Sequence, residues 1–211
     1  MPTAVRDAEA TRARLLAAAT DEFARHGVAG ARVDRIAAAA GANKQLIYAY
    51  FENKDGLFDA VLAKHCGALA EQVPFDAEDM PGYVGRLFDY ALEHPEIYRL
   101  VSWAALERPA AVAAFERGSY GAKLEAIADA QKAGRVDSSF APADLLALLM
   151  AVAAAWFSSS EAIRRFDSKD PMSPGRLAQF RRAAVESAAR ILSPPAPPAT
   201  GRATPAPPRT P

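Results

Sequence analysis

The chain has 211 residues, with 25 basic and 25 acidic side chains for a formal net charge of zero, and 51% of it is hydrophobic. That length suits one or two domains with a substantial core. Neutrality argues against a general nucleic-acid coat and leaves room for a local DNA-binding face.

Abundant alanine and few β-branched runs favour helices. The first is expected from about Ala8 to Arg25, with Leu15, Leu16, Ala19 and Phe23 on one face, and ends at His26-Gly27. A second is expected over Val33 to Ala40, a third over Lys44 to Tyr50. A fourth starts near Lys54 and runs through Leu57, Phe58, Val61 and Leu62 towards Glu71. After a loop from Pro74 to Pro81, helices are expected over Gly82 to Glu93, Pro95 to Glu107, and Pro109 to Ala133, the last bent near Gly118 and Gly121. A strongly apolar helix over Ala143 to Phe166 and a last one over Arg176 to Leu192 follow. From Ser193 the Pro-, Ala- and Thr-rich sequence has nothing to bury and reads as disordered. No strand-like alternation and no internal repeat occurs, so the fold class is all-α.

The run Ala40 to Phe51 carries the functional signal. Apolar Ile36 to Ala40 stops at Gly41, a residue free to take the left-handed conformation that closes a helix. Asn43 follows as an N-cap for a short helix from Lys44. Two short helices across a Gly-containing turn form a helix-turn-helix. The second exposes Lys44, Gln45, Tyr48 and Ala49 and turns Leu46, Ile47 and Phe51 inward. Ammonium, amide and phenol groups at the start of such a helix suit groove reading, so the chain is expected to bind DNA. Residues 1–56 hold eight basic and seven acidic side chains, a net of only +1. Affinity then depends on where the charges sit and on doubling of sites in a dimer.

With helix 1, the Gly27 turn, the helix-turn-helix and Tyr48, Tyr50, Phe51 and Lys54 in order, the chain resembles the TetR family of transcriptional regulators. The match covers about Thr11 to Leu62, through Ala18-Ala19, Phe23, Gly27, Ile36-Ala37, Ala40-Gly41, Ile47-Tyr48, Tyr50-Phe51, Lys54 and Leu57. Beyond it the resemblance rests on His94-Pro95 and on Ala133-Gly134-Arg135-Val136 before an apolar helix. It implies a three-helix DNA-binding unit over 1–53, a helical ligand-binding and dimerisation bundle over 54–192, and a tail over 193–211. It further implies a homodimer on a palindromic double-stranded operator, most simply a repressor, released when a small-molecule effector moves helix 4. Two departures stand out: Ala31-Arg32 where the family usually has a Ser or Thr cap, and Gln45-Leu46 where it usually has Gly-Thr.

The DNA-binding candidates are Arg32, Arg35, Asn43, Lys44, Gln45, Leu46, Tyr48, Ala49 and Lys54. Gln45 suits a paired contact to adenine. Lys44, Tyr48 and Lys54 are read as phosphate contacts. Arg35 is read equally as a backbone contact or as a partner of Asp34 or Glu22, and Tyr48 equally as packing. Tyr50 and Phe51 read as core. Arg6, Arg12 and Arg14 add screened attraction. Of the later aromatics, which include Phe115 and Phe157, the ligand-binding candidates are Phe88, Tyr98, Trp103, Tyr120 and Trp156.

No enzyme constellation emerges. Adjacent His65-Cys66 point to different helix faces, and Ser158-Ser159-Ser160 has no nearby base. No metal or other cofactor is expected. A single cysteine, the absence of an apolar N-terminal leader, and a longest apolar run (Leu145 to Phe157) well under the roughly 20 residues of a membrane span imply a cytoplasmic protein with no membrane partner. The competing reading is a helical sensor or partner-binding module that no longer reads DNA, which the weak charge of residues 1–56 favours.

Overall fold

The structure, a computed structural model, describes residues 2–166 and 170–194, with side chains for all of these except 2–5 and 111–117. The expectations for Phe115 and for the tail from residue 195 lie outside the described residues. Ten α-helices are present among the described residues, with no strand: α1 Pro2–Gly30, α2 Val33–Ala39, α3 Lys44–Phe51, α4 Lys54–Gln72, α5 Met80–Glu93, α6 Pro95–Glu107, α7 Pro109–Lys132, α8 Pro142–Ser158, α9 Glu161–Arg165 and α10 Pro174–Leu192. The all-α class is as the composition implies.

Several helix starts are locally encoded. Prolines stand in the first turn of α5, α6, α7, α8 and α10, where a missing N–H costs no hydrogen bond. Asp79 caps α5 by accepting from the Gly82 N–H at 2.9 Å, so this helix begins at Met80 rather than at Gly82. Along α7 the backbone stays helical through Gly118 and Gly121; among the described residues the non-helical one inside a helix is Gly27 in α1, at φ 68°.

The expected helix over Ala143 to Phe166 is two helices. The hydroxyl of Ser159 donates to the Ala155 carbonyl at 2.6 Å and that of Ser158 to the Ala154 carbonyl at 3.2 Å, ending α8. Ser160 then accepts from the Ile163 N–H at 3.4 Å and starts α9. Serine hydroxyls compete with the helical ladder, and here three in a row break it.

Two apolar clusters organise the molecule. The first joins Leu15, Phe23, Ile36, Ile47, Leu57 and Phe58 with Leu100 and Ala104 of α6. Phe23 and Phe58 meet edge to face at 5.1 Å, an arrangement that adds about 0.5–1.5 kcal/mol to burial. The second joins α5, α7, α8 and α10 through residues such as Val84, Ile127, Leu149 and Ala188. The first half of α4 is buried in the first cluster through Leu57, Phe58, Val61 and Leu62, while Leu69 near its end packs on the second.

Candidate nucleic-acid interface

The turn between α2 and α3 is closed by backbone geometry. Gly41 has φ 58°, the Ala42 N–H reaches the Ala37 carbonyl at 3.0 Å, and the Gly41 N–H reaches that of Ala38 at 3.1 Å. This is the double bond of a Schellman cap, which requires a left-handed residue at Gly41. The Asn43 side chain accepts from the Gln45 N–H at 2.9 Å, so its oxygen caps α3. On α3, Lys44, Gln45, Tyr48 and Ala49 are exposed, Ile47 and Phe51 are buried, and Leu46 and Tyr50 are partly buried against the first cluster. Arg12 lies over the Phe51 ring at 5.2 Å.

The basic candidates are largely engaged within the protein. Lys44 Nζ stands 2.8 Å from Asp34 Oδ1, bridging α3 to α2; each partner pulls the other's pKa, Lys44 upward and Asp34 downward. Arg35 Nε donates to Glu22 Oε1 at 2.8 Å and its Nη2 to the Gly30 carbonyl at 3.0 Å. Desolvation alone would raise the Glu22 pKa, but the bonds from Arg35 and the Arg32 N–H outweigh it and hold the carboxyl below its usual value. Of the two acids expected as partners of Arg35, Asp34 and Glu22, it is Glu22 that Arg35 pairs with. Lys54 Nζ donates to the Ala31 and Ala29 carbonyls at 3.3 and 3.4 Å, and Arg14 Nε to the Ala40 carbonyl at 3.3 Å. The Ala29 and Ala40 carbonyls lie at the ends of α1 and α2, where a helix leaves its last C=O groups without partners. The Arg32 side chain is exposed.

A cavity of about 330 Å³ opens among α5, α6, α7 and α8, with Leu69 from the end of α4. Tyr98 and Tyr120 line it, with Leu87, Tyr90, His94 and Met150. The other three ligand candidates are elsewhere. Phe88 is fully buried between Phe157 and Phe180, at 5.5 and 5.6 Å. Trp156 is buried against Phe180 at 4.9 Å with the Arg176 guanidinium over its ring at 4.6 Å. Its indole N–H has no hydrogen-bond partner among the described residues. Trp103 packs on Gly27: a Cβ there would meet its ring at 3.0 Å and Glu107 Oε1 at 2.5 Å. Tyr90 on α5 and His94, its C-cap, were missed; their four-residue spacing brings the two rings together, with centroids 4.4 Å apart.

Helix α6 spans the distance between cavity and DNA-reading unit. Its first turns present Ile97, Tyr98 and Val101 to the cavity. At its other end Glu107 accepts the Ala29 N–H at 2.7 Å, just after Gly27, while Arg108 reaches Asp55 at 2.8 Å and Asp59 at 3.3 Å on α4. No sequence signal marks these partners, which are separated by tens of residues.

Comparison with known proteins agrees with this geometry. Residues 15–61 match the sequence family described as bacterial regulatory proteins, tetR family, and residues 79–190 match the tetracyclin repressor-like C-terminal domain. The HTH-type transcriptional repressor SCO4008 of Streptomyces coelicolor is 49% identical over 153 residues, 71% of this chain and 80% of that one. The crystal structure of the transcriptional regulator SCO4942 from the same species superposes with a TM-score of 0.76 at 38% identity, covering 86% of this chain and 98% of that one. The regulator FadR from Bacillus subtilis, solved with stearoyl-CoA, shares the fold at a TM-score of 0.67 and 13% identity, over 85% of this chain and 98% of that one.

Proposed function

The chain belongs to the TetR family of transcriptional regulators and is a DNA-binding regulator, and from that premise we propose that it is a repressor held on a palindromic operator and released by a small molecule. The observation that carries this reading is α3 itself, capped by Asn43 and offering Lys44, Gln45, Tyr48 and Ala49 outward from a buried Ile47 and Phe51. Residues 1–53 serve as the reading unit and 54–192 as the effector and dimer unit. Gln45 reads a base edge; Lys44, Tyr48, Arg32 and Lys54 approach phosphates, Lys44 and Lys54 sharing their ammonium groups with the partners they already hold. Arg35 and Asn43 support the site by bracing α1 and capping α3, and Leu46 seats the helix.

The effector occupies the cavity lined by Tyr98 and Tyr120. Because α6 forms one wall of it and grips Ala29, Asp55 and Asp59 at its far end, movement of α6 repositions α1 and α4 together, and with them the two α3 helices of the dimer. The protein acts through binding alone, in the cytoplasm; among the described residues no helix is long and apolar enough to cross a membrane. Selecting bound duplexes from a random pool tests the reading. A single enriched palindrome, with affinity falling steeply with salt, is expected. A second reading, a sensor that no longer reads DNA, draws on the pairing of Lys44 with Asp34 and of Arg35 with Glu22; binding with no enriched sequence would favour it.

A further inference from the structure

The wall of the cavity narrows what can fill it. Tyr90 of α5 and His94, just past its end, lie with ring centroids 4.4 Å apart and planes tilted by 45°, Tyr98 of α6 is backed by Phe157 at 5.3 Å, and Tyr120 enters from α7. Opposite them α8 offers Ala153 and Ala154, beside the thioether of Met150. Rings and methyl groups make an aromatic and apolar wall, suited to offset and edge contacts with aromatic carbons and to contact with a polarizable sulfur. At about 330 Å³ the space lies near the small end of the roughly 300–1,000 Å³ of small-molecule sites.

Charge narrows it further. Among the described residues no Asp, Glu, Lys or Arg side chain lines the cavity; three phenols and an imidazole are the polar side chains that do. An anion entering it would lose hydration without gaining a counter-charge, a cost of several kcal/mol. The surrounding charges make this worse. The Glu96 carboxylate lies 3.6 Å from His94 Nδ1, and the Tyr90 phenol is pushed up first by burial and then by the negative charge of Glu96. Lys123, whose ammonium bonds the Tyr83 hydroxyl at 3.1 Å and lies over the Tyr83 and Tyr120 rings at 5.5 Å, stands behind the wall and is not among the lining residues. A neutral or cationic group is tolerated, because the faces of tyrosine rings attract positive charge.

We propose that the effector is a flat aromatic molecule carrying no negative charge, held among Tyr90, His94, Tyr98 and Tyr120. This rests on the reading of the chain as an effector-gated regulator. Titration calorimetry of the full chain at neutral pH with 9-anthracenemethanol, 9-(aminomethyl)anthracene, anthracene-9-carboxylate and cyclododecanol tests it. The alcohol and the amine should bind, the carboxylate and the saturated ring at least tenfold more weakly. Ala154→Leu, checked for folding by its melting curve, should lose the alcohol, and Met150→Lys should bring the carboxylate up to the alcohol's affinity. A carboxylate or cyclododecanol that binds wild type as tightly as the alcohol overturns the proposal, as does alcohol binding that Ala154→Leu leaves intact. If no probe binds while the unliganded protein still selects its operator, the proposal fails and the DNA-regulator reading stands. If operator selection fails as well, the regulator reading has failed independently.

Discussion

Gln45 and Lys54 were expected to differ as a base reader differs from a phosphate contact, and the structure separates them in a second way. Gln45 is exposed on α3 at the second residue of the helix, where side chains reach base edges. Gln45→Ala should cost about 1–3 kcal/mol per half-site and relax preference at one operator position, as read from affinities across single-base operator variants. Lys54 also ties two carbonyls at the end of α1. Lys54→Ala should therefore weaken all duplexes alike and also destabilise the fold by about 1 kcal/mol, visible as a lower melting temperature without DNA. Asp34 is a third determinant, because it competes with phosphate for Lys44 at 2.8 Å. Removing its charge in Asp34→Asn should raise affinity for random duplexes and steepen the slope of log affinity against log salt by about 0.9 per protomer. An unchanged slope would mean that Lys44 keeps its place with or without Asp34.

At the scale of elements, the proposed communication between effector and operator runs through α6. One side of the helix closes the cavity and its C-terminal end holds the reading unit through Trp103, Glu107 and the two ion pairs of Arg108. Surface ion pairs alone are worth little, but Arg108 is only 21% exposed and bridges two carboxylates one turn apart on α4. Coupling between sites is typically 1–3 kcal/mol, or about 5–150-fold in affinity. Glu107→Ala should keep effector binding while shrinking the effector-induced loss of operator affinity several-fold. Measuring operator affinity with and without effector in both proteins checks this; an undiminished ratio would move the coupling to another contact. The neighbouring helix α8 shows how local chemistry overrides apolar periodicity, since Ser158 to Ser160 end it eight residues before the apolar pattern does.

For the whole molecule, packing within the protomer decides which faces of α8 and α10 stay open to a second copy. On α10, Ala184 and Ala188 are buried in the protomer's own second cluster, and Phe180 packs on Phe88 and Trp156. The outward stripe is instead Ala183, Glu186, Ser187 and Arg190, beside Ala147, Leu148 and Ala151 of α8. Leu148 is 41% exposed at the centre of this small-residue face. A two-fold pair of α8 and α10 helices would cover it and match a palindromic site. Sedimentation should show a dimer for wild type at micromolar concentration and a monomer for Leu148→Glu, because a buried unpaired carboxylate costs several kcal/mol. A dimer unaffected by the substitution would place the interface elsewhere.

The sequence by itself determined the helix-turn-helix, because each of its signals acts within four or five residues. Gly41 permits the left-handed turn, Asn43 caps the next helix, and the alternation of Ile47 and Phe51 with Lys44, Gln45 and Tyr48 assigns the faces of α3. The prolines that open five later helices are equally local. What only the tertiary structure decided is how distant residues meet. Lys44 takes Asp34, Arg35 takes Glu22 and Lys54 takes the end of α1, although each basic group had several acceptors of similar chemistry along the chain. Phe88 and Trp156 go to the core while Tyr90 and Tyr98 face the cavity, because a cavity is the space that α5, α6, α7 and α8 leave after packing. Helical periodicity ranks residues as apolar or polar, but complementary shape between helices far apart in the chain determines which apolar side chains touch one another and which are left facing a space.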